Sequence, residues 1–395
     1  MVQRRQRHLT VLASVPSPTR MGIIRRIGLA AALAATPVGL AYRFALAYRV
    51  RAGYPRRSPP MITPTDVGLP FESTVIESDG LRLPAWFIPA RDGRAGPGVV
   101  LVHGWESARD RTLPLALFLH AAGFHCLTFD VRGHGDNPSE KLPMSGGEFG
   151  TDATAAFRTL MARPEVTVGA IAGHSLGAIG AILAAAADPR VAGLVATSAP
   201  SDPYRLTRQT FRLARLPIPD FIAYPLAWLT TRVYLRPRGH HVVDISATAA
   251  IARYEGPVLL AHGEGDVVVP PSHMARLAAA ARSARAGRPD AAELVTLIVE
   301  GGQHSWLYED EGYRRLVARF LTRALGGPLD PETAADLAAA TRAERIADLE
   351  ASFDAVDQTP GGLRTLASVA LPGATRPPRR DRDAAGIPAA PVGEN

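Results

Sequence analysis

The chain repeats a two-part pattern in which apolar runs of four to eight residues alternate with longer stretches of helical periodicity. Apolar runs of this length are typical of strands in a parallel sheet that is buried on both faces. The pattern therefore predicts an α/β fold with a mostly parallel central sheet and helices on both faces. The predicted strands lie near Val99, Phe124, Val168, Val191, Val258 and Leu294.

Two shorter apolar runs, at 74–77 and 83–88, precede the first parallel strand. They are separated by Asp79-Gly80, a pair that favours a tight turn with positive φ. We therefore predict an antiparallel hairpin at the start of the domain.

Residues 201–255 break the alternation, because this interval is too long for one crossover and is rich in proline and aromatic residues. We interpret it as a helical cap inserted into the α/β domain. The alternative is a helical insertion that only thickens the core. The apolar residues on which this interpretation depends are Phe211, Leu216, Pro217, Ile218, Phe221, Tyr224, Trp228 and Tyr234.

The N-terminal segment contains an apolar stretch at 27–47 that is interrupted by Pro37 and Arg43. About 20 apolar residues span a bilayer, so we expect a membrane-associated protein with an N-terminal helical anchor. One alternative is an export signal that is cleaved after the small-x-small sequence at 45–47, with Met21 as the true start. Another is a helical N-terminus that packs on the domain.

Composition and local motifs predict how the chain is divided into segments. Asp330-Pro331 is typical of a helix start, with an N-cap followed by proline at the first helical position. The predicted organisation is a basic N-terminal segment at 1–57, a proline-rich linker at 58–70, the α/β domain at 71–325, an accessory helix within 326–357 and a disordered tail at 358–395.

The net charge of +7 belongs to the N-terminus rather than to the domain. Residues 1–57 contain eleven arginines and no acidic residue, so the remainder of the chain carries a formal charge of about −4. Nucleic-acid binding requires a basic patch on the folded domain, and we therefore expect no nucleic-acid partner. The hydrophobic fraction of 47% is sufficient for one large domain.

Cys126 is the only cysteine, so a disulfide within the chain is excluded. Neither a C-x-x-C nor an H-E-x-x-H spacing occurs. We therefore expect neither a metal ion nor a cofactor.

The most informative motif is G-x-S-x-G at 173–177, which lies between a predicted strand and a predicted helix. A serine at such a sharp turn is forced into a strained conformation that exposes its hydroxyl at the top of the sheet. The two glycines are required because strand and helix pass too close for Cβ atoms. Ser175 is therefore the predicted nucleophile.

An acyl-transfer site also needs two preorganised N–H donors for the developing oxyanion. One is expected from Leu176, the residue after the nucleophile, and the other from the loop after an earlier strand. That strand runs into His103-Gly104-Trp105, so Trp105 is the predicted second donor. His103 precedes the serine, and we interpret it as a residue that braces the loop.

The acid of a serine-dependent site is expected after the serine and before the base. Asp266 follows the strand near Val258 and is the predicted acid, because an acid just past the carboxyl end of a strand faces the serine turn. Glu264 is a neighbouring alternative, and Asp202, after the preceding strand, is a weaker one.

Two histidines, His273 and His304, follow Asp266. His304 lies in a glycine-flanked loop beyond the last predicted strand and is the predicted general base. His273 lies at a predicted helix start, and we interpret it as a surface or capping residue.

These residues, in this order, resemble the α/β-hydrolase superfamily, and in particular its esterase, lipase and serine-aminopeptidase-like branches. The resemblance covers roughly residues 71–325. Residues 130–136 look like the D-x-R-G-x-G loop of that family, whose role there is mainly structural, and residues 263–270 look like its G-x-x-D-x-x-V-P acid loop. The H-G-G-G oxyanion loop of one lipase branch is replaced by H-G-W.

The sequence thus predicts a serine hydrolase that cleaves a carboxylic ester through Ser175, His304 and Asp266. A peptidase, an amidase or a thioesterase would use the same residues and is an alternative. A non-catalytic binding protein with this fold is an alternative of another class. The apolar cap favours a small-molecule ester with an apolar acyl or alkyl group.

Overall fold

The computed structural model of the protein describes residues 18–341. Its centre is one eight-stranded sheet in the order β1-β2-β4-β3-β5-β6-β7-β8, in which β1 and β2 are antiparallel to their neighbours and the other pairs are parallel. The strands are β1 (Glu72–Ser78), β2 (Leu81–Ile88), β3 (Gly96–Val102), β4 (His125–Phe129), β5 (Val166–His174), β6 (Val191–Thr197), β7 (Val258–Gly263) and β8 (Leu294–Val299).

Helices cover both faces of this sheet, which confirms the predicted fold class. They are α1 (Pro18–Ala52), α2 (Leu113–Ala121), α3 (Gly146–Met161), α4 (Leu176–Ala187), α5 (Pro203–Leu213), α6 (Asp220–Leu235), α7 (Ala247–Ile251), α8 (Ser272–Arg285), α9 (Glu311–Leu325) and α10 (Pro331–Ala339). Short 3-10 helices occupy Pro64–Val67, Arg109–Thr112, Arg236–Arg238 and Leu307–Glu309.

The core is divided by the sheet into two apolar layers. Successive side chains of a strand point to opposite faces, and in β3 this sends Val100 and Val102 into one layer and Val99 and Leu101 into the other. The apolar run that predicted this strand is continuous because both of its faces are buried.

The predicted hairpin is present as β1 and β2, with both residues of its turn at positive φ, 47° at Asp79 and 76° at Gly80. Residues 58–70, which we predicted to be a linker, contain the 3-10 helix Pro64–Val67. Val67 and Leu69 are buried in the core there.

The predicted cap region divides into two parts. Helices α5 and α6 pack against each other, with a hydrogen bond of 2.9 Å from the Thr231 hydroxyl to that of Thr207, and lie over the end of β5. Helix α7 belongs to the core instead, since Ala247, Ala250 and Ile251 are fully buried beneath the sheet.

Helix α1 contains the apolar stretch at 27–47, and its last turns pack against α6. No helix in the described part of the chain combines the length and apolarity that crossing a membrane requires. The predicted accessory helix is described only as α10. Its continuation beyond 341 and the predicted tail at 358–395 lie outside the described residues.

The backbone is tightly packed where β5 turns into α4 and passes the end of β3. A Cβ atom at Gly173 would overlap the backbone of Gly177, and one at Gly177 would overlap the carbonyls of Val102 and His103. The motif therefore requires glycine at both positions, because neither position has space for a Cβ atom.

We expect Gly177→Ala to lower the free energy of unfolding by about 1–3 kcal/mol, because β3 must move to admit the methyl group. Gly39→Ala is the matched control, since a Cβ there meets nothing within 4 Å and alanine favours helix by up to about 1 kcal/mol. Urea unfolding followed by tryptophan fluorescence measures both. Equal midpoints for the two variants would contradict this account of the crossing.

Candidate active site

Ser175 lies on the turn between the last residue of β5 and the first residue of α4. Its φ of 55° and ψ of −121° are rare for a residue with a Cβ atom, and such strain costs of the order of 1–3 kcal/mol. Its backbone N–H donates to the Thr197 carbonyl at 2.9 Å, which ties the turn to β6. This hydrogen bond therefore fixes the orientation of the turn relative to β6.

The three side chains predicted to act together meet at this turn. His304 Nε2 lies 3.0 Å from Ser175 Oγ, and His304 Nδ1 lies 2.8 Å from Asp266 Oδ2. With Nδ1–H donating to the carboxylate, Nε2 is left to accept the serine proton. This geometry permits transfer of a proton from Ser175 to His304.

Asp266 is buried, and each of its oxygens has partners. Oδ1 accepts the backbone N–H groups of Val268 and Val269 at 3.0 and 2.8 Å. Oδ2 lies 3.2 Å from His262 Nε2 in addition to His304. Burial alone would raise the pKa of Asp266, but the hydrogen bonds from His262 and His304 outweigh it and hold that pKa well below its usual range.

His304 is held through its backbone as well as through its ring. Its carbonyl accepts hydrogen bonds from His174 Nε2 at 2.7 Å and from Ser198 Oγ at 3.0 Å. Burial lowers the pKa of His174 to about 4, so this ring is neutral at pH 7 and keeps a single N–H for the bond. Neither His174 nor Ser198 was predicted as a site residue, because His174 is a variable position of the G-x-S-x-G motif and Ser198 belongs to no motif.

The two predicted oxyanion donors both border Ser175. Leu176 is the first residue of α4, and the first N–H groups of a helix have no acceptor within it. Trp105 lines the same cavity as Ser175 and Leu176. The loop before it lies directly on the turn, since a Cβ at Gly104 would be 3.4 Å from the Ser175 Cβ.

Two histidines support the loop that carries Trp105. His103 donates from Nδ1 to the Gly104 carbonyl at 2.8 Å and accepts the Val131 N–H at Nε2 at 3.0 Å, which agrees with the predicted bracing role. Burial lowers the pKa of His103 to about 3. The ring of His134 packs edge-on against Trp105, with centroids 5.4 Å apart.

The loop at 130–136, which contains His134, is held by two buried ion pairs. Asp130 pairs with the Arg109 guanidinium, and Arg132 donates to Asp152. Gly135 has a φ of 53°, and a Cβ there would overlap the Asp130 carboxylate. The loop at 130–136 therefore contacts the Trp105 loop through the ring of His134.

The alternative acids and the other histidine lie away from Ser175. Glu264 is exposed and accepts the Gly301 N–H, while Asp202 caps α5. The prediction that His273 is a surface or capping residue is wrong, because it is buried and its Nδ1 accepts the Ser201 N–H at 2.9 Å. The position of His273 at a helix start does not indicate whether another segment of the chain covers its side chain.

Two cavities open on either side of Ser175. One, of about 200 Å³, lies beneath α5 and α6 and is bounded mainly by apolar groups. The other, of about 430 Å³, is bordered by His304, Trp306, Tyr308 and Arg111. Trp306 has a φ of 71°, an outlier for a bulky residue.

No metal-binding group of three His, Cys, Asp or Glu side chains occurs within 18–341.

Three comparisons place the chain among known proteins. It is 33% identical over 210 residues to an uncharacterized protein of Mycobacterium tuberculosis strain H37Rv, covering 52% of this chain and 66% of the relative. It is 28% identical over 249 residues to the human protein ABHD12B, covering 60% of this chain and 64% of the relative. The chain thus spans just under two thirds of the length of each.

Among solved structures, the Pyrococcus furiosus esterase Pf2001 shares the fold, with a TM-score of 0.55, 20% identity, and coverage of 70% of this chain and 99% of that one. The model of the Alpha/beta hydrolase family matches residues 99–320, more than half of the chain. This range contains the Ser175 turn, the Trp105 loop, Asp266 and His304, and the protein belongs to the alpha/beta hydrolase family.

Proposed function

We propose that this hydrolase is a serine esterase that cleaves a carboxylic ester through an acyl-enzyme intermediate. The observation that carries the proposal is the continuous hydrogen-bonded path from Ser175 Oγ through His304 to Asp266, built on a strained turn. A non-catalytic protein of this fold has no need to keep a serine at φ 55° with its hydroxyl 3.0 Å from an imidazole that is itself hydrogen-bonded to a buried carboxylate. The Pf2001 neighbour, which shares the fold, is named an esterase.

In the first half of the reaction, Ser175 Oγ attacks the ester carbonyl while His304 Nε2 takes the hydroxyl proton. The oxygen of the tetrahedral intermediate accepts the N–H groups of Leu176 and Trp105. The carbon–oxygen bond to the alcohol breaks as His304 returns the proton to it. Water then repeats both steps on the acyl-enzyme and releases the carboxylic acid, with Asp266 stabilising the imidazolium throughout.

The apolar cavity beneath α5 and α6 supports a substrate with an apolar acyl or alkyl group. Leu176, Ile179 and Val268 border it beside Ser175, and Leu206 and Leu213 close it from the cap. Burial of apolar surface stabilises such a group by roughly 25 cal/mol per Å².

We predict that a fluorophosphonate probe labels the wild-type protein and not Ser175→Ala, because the probe requires an activated serine oxygen. Ser283→Ala, in the exposed part of α8, is the control and keeps full labelling. In-gel fluorescence after a fixed incubation measures both. Wild-type protein that resists the probe, or labelling of Ser175→Ala, would exclude a catalytic Ser175.

The acid role is tested by Asp266→Asn, which we expect to lower kcat for p-nitrophenyl butyrate by about 10⁴-fold, since the amide imposes the wrong His304 tautomer. Glu264→Gln is the matched control and leaves kcat nearly unchanged, because Glu264 faces solvent. A large loss in Glu264→Gln with activity retained in Asp266→Asn would transfer the acid role. Faster turnover of an aminopeptidase substrate than of any ester would replace the ester assignment.

We further propose that the protein associates with a membrane surface through the cap and α1. Phe221, Tyr224 and Trp228 follow one another at helical spacing on α6 and are 50–77% exposed. Arg208 lies 4.1 Å above the Tyr224 ring, and Arg232 lies 3.8 Å above the Trp228 ring. Exposed aromatic rings beside arginines suit the headgroup region of an anionic bilayer. Val38 and Leu40 of α1 are also exposed.

We predict that the full chain cosediments with vesicles containing phosphatidylserine, and that Phe221→Ser with Trp228→Ser weakens this binding at least about tenfold by removing two interfacial rings. The control is Val75→Ser with Ile298→Ser, two exposed apolar residues on the edge strands β1 and β8 of the sheet. Equal binding of both double variants would refute a role for the cap aromatics.

A further inference from the structure

The cavity beneath the cap has a wall that does not come from the α/β domain. Besides residues of the Ser175 turn, α5 and α6, it is bordered by Tyr48 and Ala52 of α1. We infer that the last turns of α1 form part of the acyl-binding pocket and set the length of the apolar chain it accepts. The inference rests on the proposed function for the identity of the chain, but the wall itself is a feature of the packing.

Tyr48 is fixed between the two cap helices. Its hydroxyl lies 2.8 Å from Thr210 Oγ1 of α5. Its ring packs edge-on against Phe211 and at a tilt against Tyr234 of α6, with centroids 5.8 and 6.0 Å apart. Burial raises the pKa of the Tyr48 hydroxyl, so this group remains a neutral hydrogen-bonding partner. The ring is thus a fixed surface of the pocket.

The end of α1 is also attached to the loop before α3. The Tyr234 hydroxyl donates to the Ala52 carbonyl at 3.0 Å and contacts the Met144 carbonyl. The Met144 N–H donates to the Gly53 carbonyl at 2.8 Å, and a Cβ at Gly53 would overlap Pro143. Met144 itself borders the cavity, so α1, α6 and this loop close the same end of it.

The helix presents one face to the pocket and another to solvent. Phe44, Tyr48 and Ala52 are spaced by four residues and therefore share a face, and Phe44 packs edge-on against Phe211 at 5.4 Å. Val50, between the two pocket residues, is 67% exposed on the opposite side. The small side chain of Ala52 is what leaves space at the end of the cavity.

The test compares Ala52→Phe, which fills this end of the pocket, with Val50→Phe, which adds the same ring on the solvent face. We expect Ala52→Phe to lower the ratio of kcat/KM for the dodecanoate ester to kcat/KM for p-nitrophenyl acetate by about tenfold or more. Tyr48→Ala enlarges the pocket and shifts the preferred chain to greater length. Val50→Phe keeps the wild-type profile, and circular dichroism compares the folding of all variants.

A second measurement makes the result independent of catalysis. Calorimetric binding of dodecanoate to Ser175→Ala is repeated with Ala52→Phe or Val50→Phe added. Weaker binding with Ala52→Phe alone supports the pocket wall even if wild-type protein is inert towards fluorophosphonate and esters, an outcome in which only the proposed function fails. Ala52→Phe that matches Val50→Phe in both measurements overturns the inference.

Discussion

At the end of β5 the backbone turns into α4 with no space for a Cβ atom on either side of Ser175. Gly177 passes against the carbonyls of Val102 and His103, and Gly173 passes against Gly177 itself. This close approach holds the serine at positive φ, points its hydroxyl away from the sheet and leaves the Leu176 N–H at an open helix end. The same approach brings the end of β3, and with it the Trp105 loop, against Ser175. A change in this crossing therefore displaces Ser175, Leu176 and the Trp105 loop together.

The parallel sheet places Asp266 and His304 at the same edge as Ser175. β5, β6, β7 and β8 are neighbours in that order, and all end at the edge where Ser175 lies. Asp266 follows β7 and His304 follows β8, so loops of adjacent strands carry these two side chains. Their separation from Ser175 by more than 90 residues in sequence is removed by strand order alone. The exact positions of Asp266 and His304 at this edge depend on side-chain contacts. His262 contacts Asp266, and His174 and Ser198 donate hydrogen bonds to the His304 carbonyl.

The sequence was informative wherever a local pattern has one physical explanation. Continuous apolar runs predicted strands with two buried faces, and the G-x-S-x-G motif between a strand and a helix predicted the turn. The expected chain order of serine, acid and histidine, together with the position of Asp266 just past a strand, selected Asp266 and His304. Their catalytic roles stay predictions. The sequence pattern did not predict contacts between segments that are far apart in the chain. His273 is buried because Ser201 packs on it, α7 joins the core rather than the cap, and α1 reaches the pocket through Tyr48, none of which has a signature in its own segment.

The position of α1 links two properties that the sequence presented separately. The apolar stretch at 27–47 and the pocket residues Tyr48 and Ala52 belong to one helix, α1, so the segment expected to anchor the protein and the wall of the pocket are parts of the same element. Cleavage after 47 would separate Phe44 from Tyr48 and leave Tyr48 as a frayed chain end, without the preceding turn that packs on Phe211. Under the proposed function, a chain cleaved after 47 would therefore lose the Phe44–Phe211 contact, and with it part of the packing that holds the Tyr48 wall of the pocket.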